Sequence, residues 1–283
     1  NKRETDRALL RMIKYTANEG WSYWDDRGAY CLEKLSSNKD KKEALEIRDD
    51  AYYEYSKEAY KGAKKYRENG EYVSEVDQLE YALKILDRTE NRNDKVEELD
   101  EKCKKRLDKA CYKAAKQTYQ NIEYNASDEE NNNAINGLSD AIEYLDKIEN
   151  KDQKVEELRA DYQSELEPLC YDKAQTICLD LTEDGYYYTD ELTYDIGRME
   201  EAVEAANKIE NTDAEASELK EKCLGEMDLL YYYGAEECYD TASQYAESGD
   251  YAEAVRDYEN AIEYLDKISN QDDDSTELKA KCQ

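Results

Sequence analysis

The sequence predicts an all-helical chain, an α-solenoid of stacked antiparallel helical hairpins wound into a right-handed superhelix. Three observations carry that expectation. One Pro in 283 residues leaves almost nothing to interrupt helices, and ten Gly are few for turns. Val, Ile and Thr are sparse, and no segment alternates with a period of two over the length of a strand. A unit of about 60 residues recurs along the chain.

The recurrence is visible residue by residue. Ala141-Ile-Glu-Tyr-Leu-Asp-Lys-Ile148 returns unchanged at 261–268, with looser copies at Ala82–Thr89 and Ala202–Ile209. Two residues after each block stands an Asn: Asn91, Asn150, Asn211 and Asn270, at steps of 59, 61 and 59. Glu-Leu pairs follow each Asn at one spacing, at Leu99, Leu158, Leu219 and Leu278, and a shorter early copy fits Leu32–Leu35 with Leu45.

The chain then divides in order. A partial hairpin occupies 1–38 and opens inside a long helix, Thr5 to Asn18. Repeats follow at 39–92, 93–151, 152–212 and 213–271, and 272–283 starts a further helix, all in one continuous solenoid domain. Each repeat reads as a shorter and a longer helix. The shorter runs through the Ala-Ile-Glu-Tyr-Leu block, near 131–149 or 251–269. Val255, Tyr258, Ile262 and Leu265 form its apolar stripe, as do Val76, Leu79, Leu83 and Leu86 in another copy. An Asn/Asp-rich stop follows, where Asp94 and Glu97 have the form of a capping box. The longer helix runs near 94–124, 153–183 and 214–247. It ends at turns where Gly70 and Gly249 can take the left-handed conformation, or at 125–133 in a looser turn without Gly. Pro168 falls inside a long helix and should kink it or mark a break.

One unit cannot bury its stripe alone, so units must stack. The chain is either capped by its end fragments or is a segment of a longer solenoid; its start at Asn1 rather than Met suggests processing or a partial chain. Long polar helices with one narrow buried stripe reconcile 39% charged residues with order.

Composition also excludes functions. With no His there is no Ser-His-Asp or Cys-His catalysis, and no His-ligated zinc or haem. Asp+Glu 71 against Lys+Arg 40 gives a net charge of −31, which repels nucleic acid and anionic lipid. No run reaches the about 18 apolar residues of a membrane span, so no membrane insertion is expected, and no leader-like segment opens the chain. No catalytic residue, cofactor site or metal site is expected, and the chain is not expected to be an enzyme.

Ala242-x-x-Tyr245-x-Glu-x-Gly249-x-Tyr251-x-x-Ala254, then Tyr258 and Ala261, resembles the tetratricopeptide pattern, and Ala63-x-x-Tyr66-x-Glu-x-Gly70-x-Tyr72 is similar. The chain departs from that family in its longer repeat, against about 34 residues, and in lacking the Trp-Leu-Gly and closing Pro. The resemblance implies a divergent tetratricopeptide-like solenoid with a scaffold or binding role.

Eight Cys are the most informative single residues. Equivalent positions on side-by-side long helices suggest the staples Cys111–Cys170, Cys178–Cys238 and Cys223–Cys282, leaving Cys31 for Cys103. Buried reduced thiols are the other reading, because helix axes about 8–10 Å apart strain a disulfide. No Cys-x-x-Cys pair supports zinc. Staples would place the protein in an oxidising compartment, secreted or at the cell surface; thiols leave a cytoplasmic location open.

Twenty-eight Tyr stand where Phe is absent. Most serve the interhelical stripe, but Tyr186, Tyr187 and Tyr188, like Tyr231, Tyr232 and Tyr233, cannot all face inwards and form a candidate interaction surface. Trp21 and Trp24 form one core face or an interface anchor. Asp272–Asp274 and Asp128–Glu130 sit at helix starts, where negative charge complements the dipole. Calcium could bind acidic runs, but no EF-hand loop supports it. One glycosylation sequon, Asn125-Ala-Ser127, falls in an expected loop. The expected function is a non-enzymatic protein–protein interaction or structural scaffold, joined to a protein partner or to copies of itself in a larger assembly. A carbohydrate- or calcium-binding module using exposed Tyr and carboxylates is the alternative.

Overall fold

A computed structural model of the chain describes residues 2–19, 27–122, 128–183 and 192–283. Among the described residues the protein is all-α, with eleven helices and no strand. The helices are α1 (Lys2–Glu19), α2 (Ala29–Lys34), α3 (Asn38–Asn69), α4 (Tyr72–Leu86), α5 (Asp94–Gln120) and α6 (Asp128–Asp146). They continue with α7 (Gln153–Glu183), α8 (Leu192–Asn207), α9 (Ala214–Ser248), α10 (Tyr251–Lys267) and α11 (Asp273–Cys282). Long helices alternate with shorter ones from α3 onwards, close to the expected spans. The sparse Pro and Gly explain their length.

The chain folds as two compact units. One is Asn1–Glu123 with Asn136–Arg159; the other is Tyr124–Ile135 with Ala160–Gln283. In the first, α1 packs on α2 and α3, α3 on α4, and α4 on α5. In the second, α8 and α10 both pack on α9, and α10 also meets α11.

The repeat seen in sequence is also a repeat of burial. Ala82, Ala141, Ala202 and Ala261 are all fully buried, one small residue per short helix that lets the long helix approach closely. Leu86, Leu145, Ala206 and Leu265 are buried one turn later. At the Glu-Leu pairs, Leu99, Leu219 and Leu278 are buried and Leu158 is half-buried. Val255 departs from the expected stripe. It is 55% exposed, whereas its counterparts Val76, Ile135 and Ile196 are buried. Within its unit, α10 packs on α9 and α11.

Helix ends follow local chemistry. Gly70 and Gly249 take φ of 78° and 86°, as expected of left-handed caps. Glu71 N–H then donates to the Tyr66 carbonyl at 3.0 Å, and Asp250 N–H to Tyr245 at 2.9 Å. At the other ends, one polar side chain per repeat accepts from the first turn of the following helix. Asn93 takes the amides of Lys95 and Val96, Asp152 those of Lys154 and Val155, Asp213 that of Ala216, and Asp272 that of Ser275. Asn93, not Asp94, is therefore the cap of α5, and the capping box forms at Asp272 and Ser275 instead. Asp128 to Asn133, expected as turn, already belongs to α6. Helix α7 passes Pro168 without a break and runs on to Glu183.

Candidate functional site

Each long helix from α3 to α9 carries a carboxylate that clasps the turn after the next short helix. Asp49 accepts from Asn91 N–H at 2.8 Å. Asp108 accepts from Glu149 N–H at 3.0 Å and from the Asn150 side-chain amide at 2.9 Å. Glu167 accepts from the amides of Glu210 and Asn211 at 2.9 and 3.1 Å. Asp228 accepts from the amides of Ser269 and Asn270 at 2.8 and 3.0 Å. Asp6 does the same for Ser36, through its amide at 3.0 Å and its hydroxyl at 2.6 Å. The recurring Asn thus marks a turn whose backbone donors are met by an acid from the preceding long helix.

Sequence reasoning did not single out these acids. Their own steps, 49 to 108 to 167 to 228, run in register with the Asn, but among 71 acidic residues one more is inconspicuous. The clasp is testable at one copy. Asp108→Ala is expected to cost about 1–2 kcal/mol, and hydrogen exchange at the Glu149 amide should accelerate well beyond that of the α5 core. Unchanged exchange at that amide would count against the clasp.

Four residues after each carboxylate comes a half-buried Tyr: Tyr53, Tyr112, Tyr171 and Tyr232. Three of them line open grooves between one long helix and the start of the next. Tyr112 with Lys154 borders a groove of about 850 Å³ between α5 and α7. Tyr171 with Glu215 borders one of about 250 Å³ between α7 and α9. Tyr232 with Asp274 borders one of about 360 Å³ between α9 and α11. The positions match step for step, while the chemistry changes. The first groove carries Lys104, Lys105, Lys109, Lys113 and Lys154; the second mixes Glu215, Glu218 and Lys222; the third has Asp228, Asp272 and Asp274 with no cation.

The expected tyrosine surface is met in part. Tyr233 is exposed and lines the third groove with half-buried Tyr232, and their rings meet edge to face. Tyr231 is buried; its hydroxyl donates to Glu200 at 3.1 Å, so it belongs to the packing of α9 on α8. Burial pushes both the Tyr231 and the Tyr232 phenols up to about 12. Tyr186, Tyr187, Tyr188, Trp21, Trp24 and the Asn125 sequon lie outside the described residues. Asp272 is used as a cap, with Asp273 and Asp274 in the first turn of α11. Among the described residues no cluster of three or more acidic or Cys side chains could hold a metal ion.

The eight Cys are free thiols, and the pairings expected from lateral register are not formed. The reason lies in their surroundings. Cys111 and Cys170 are both fully buried, with charges of short-helix segments, Glu80 and Lys147, and Lys208 and Glu204, among those that act on them. Cys178 is hydrogen-bonded to Cys223 rather than set against Cys238, which lies near Asp257 and Cys282. Cys31 is buried with Ile13, Ala17 and Leu35, while Cys103 lies near Asp100 and Arg106. The expectation of an oxidising compartment rested on those staples and loses that support. Burial pushes Cys103, Cys111 and Cys223 up to about 12, and Cys170 and Cys238 to about 11, which keeps them protonated and poor nucleophiles near neutral pH.

Among the described residues no helix is long and apolar enough to cross a membrane. No protein-family model matches the chain, and a search of the curated proteins returns no match.

Proposed function

We propose that the chain is a non-enzymatic scaffold, a tetratricopeptide-like solenoid whose stacked hairpins present interaction grooves to a protein partner. The recurring groove is the observation that carries this reading. The same backbone placement occurs between successive long helices, each with a Tyr at its edge, and the lining charge differs from one groove to the next. A fold that repeats the shape and varies the lining can address several points along one partner. Tyr is suited to this task, because it offers a large apolar ring and a polar tip at low entropic cost. The buried, protonated thiols and the lack of His leave little for nucleophilic chemistry.

Co-purification from the native source, repeated with variants, tests the proposal. Tyr112→Ala and Tyr232→Ala are expected to lower partner recovery by about tenfold. Tyr194→Ala and Tyr251→Ala, at exposed positions that line none of these grooves, should leave recovery unchanged. The opposite pattern, with groove variants retaining the partner and the outside variants losing it, would overturn the groove reading.

A further inference from the structure

The first groove is anomalous for this chain. Against a net charge of −31, five lysines converge on one concavity of about 850 Å³. Its lining acids are Glu101, Asp108 and Asp152, so the lining sums to 5 − 3 = +2. Two of those acids are already engaged: Asp108 clasps Glu149 and Asn150, and Asp152 caps α7. Among the lysines, Lys104 pairs with Asp100 at 3.0 Å, and Lys113 sits over the Tyr72 ring at 4.7 Å. Lys105, Lys109 and Lys154 are exposed and make no ion pair among the described residues. The floor is apolar, formed by buried Ile148 and Val155 beside Tyr112. At the matching places of the third groove stand Gly225 for Lys105, Leu229 for Lys109, Tyr233 for Lys113 and Asp274 for Lys154. The repeat geometry does not itself call for these lysines.

We infer that the groove between α5 and the start of α7 docks an acidic peptide segment that carries one large apolar side chain. The inference rests on the scaffold reading above and names the partner class of one groove. An apolar anchor fits over Ile148 and Val155, while flanking carboxylates meet Lys105, Lys109 and Lys154. Charge complementarity selects this occupant. A basic peptide meets acidic surface almost anywhere on the chain, whereas an acidic one finds a lysine-rimmed groove with an apolar floor here. Remote acids do not prevent it, because repulsion between exposed charges fades over about 8 Å at physiological salt, while the lysines act at contact. Pairing of this kind contributes specificity more than raw affinity.

Fluorescence anisotropy on the full chain tests the inference. The probe is a labelled hexapeptide with one Leu flanked by Asp and Glu, compared with a Gln-flanked and a Lys-flanked version. The acidic probe is expected to bind one to one and more tightly than the other two. The triple variant Lys105→Glu, Lys109→Glu, Lys154→Glu should weaken it by about tenfold. These exposed, unpaired lysines can be exchanged without unfolding the chain, and far-UV circular dichroism together with the milder Lys→Gln triple variant checks this. Equal binding of the acidic probe by wild type and triple variant would overturn the inference. So would tighter groove-dependent binding of the Gln- or Lys-flanked probe, although the scaffold reading would stand in that case. A light-scattering dimer that the triple variant converts to monomer would assign the groove to a second copy of the chain, which also overturns it. Loss of the native partner on Tyr112→Ala, with no acidic-probe binding, would reject the acidic class alone.

Discussion

Glu75→Ala is expected to cost about 3–5 kcal/mol, because it strands a buried partner charge. Glu75 stands in the first turn of α4 with 2% of its surface exposed, and its carboxylate accepts from Arg106 Nε of α5 at 2.8 Å. The Arg106 guanidinium is itself largely buried and lies over the Tyr60 ring of α3 at 5.2 Å. Truncation at position 75 therefore leaves a cation between three helices with its counter-charge removed. Desolvation makes that far more costly than loss of an exposed pair such as Lys57–Glu54, which water screens. The same physics predicts the compensating variant. Glu75→Leu combined with Arg106→Met removes both charges and keeps the volume, and should recover most of the loss. Urea unfolding of the two single variants and the double variant gives the coupling directly. A single-variant loss within the range of exposed pairs would show that the two charges remain hydrated.

The contrast between this pair and the clasps shows what could be learned from the sequence. Much that recurs was legible: the Ala at 82, 141, 202 and 261, the Gly caps at 70 and 249, and the alternation of short and long helices. Each is fixed by local chemistry repeated at steps of 59–61 residues, so chance agreement is easy to reject. The clasp acids recur equally well, yet an acidic residue carries little information in a chain this acidic. Glu75 and Arg106 do not recur. One and two repeats later the Glu75 position holds Ala134 and Asp195, and the Arg106 position holds Glu165 and Glu226, so periodicity cannot reveal the pair. The cysteines show a second limit. Equivalent sequence positions do not fix the environment of each side chain, and Cys111 and Cys170 are free, buried thiols. The grooves combine both cases, with a place fixed by the repeat and a charge fixed by residues that change from copy to copy.

The buried thiols are expected to make the protein sensitive to alkali, and the sign follows from proton binding. Burial, as the leading cause, holds Cys103, Cys111 and Cys223 at about 12 and Cys170 and Cys238 at about 11, against an ordinary 9.0. Between those values the unfolded chain has released protons that the folded chain keeps, so stability falls as pH rises. The contribution is complete below the ordinary thiol range and is lost progressively up to about pH 12. Tyr231 and Tyr232 act in the same direction from their ordinary 10.0 upwards. Each raised thiol is therefore a contribution that the fold forfeits in alkali, and a domain has only about 5–15 kcal/mol in all. Cys103 and Cys111 both act in this direction within the first unit. Helix content is therefore expected to fall cooperatively as pH rises above the ordinary thiol value of 9.0, together with the rise in thiolate absorbance. Cys103→Ala, which deletes one titrating group from the first unit, should hold that unit's helices to higher pH relative to its own stability at neutral pH. Thiolate absorbance that climbs smoothly around pH 9 while the circular dichroism stays constant would show that these sulfurs reach water in the folded chain.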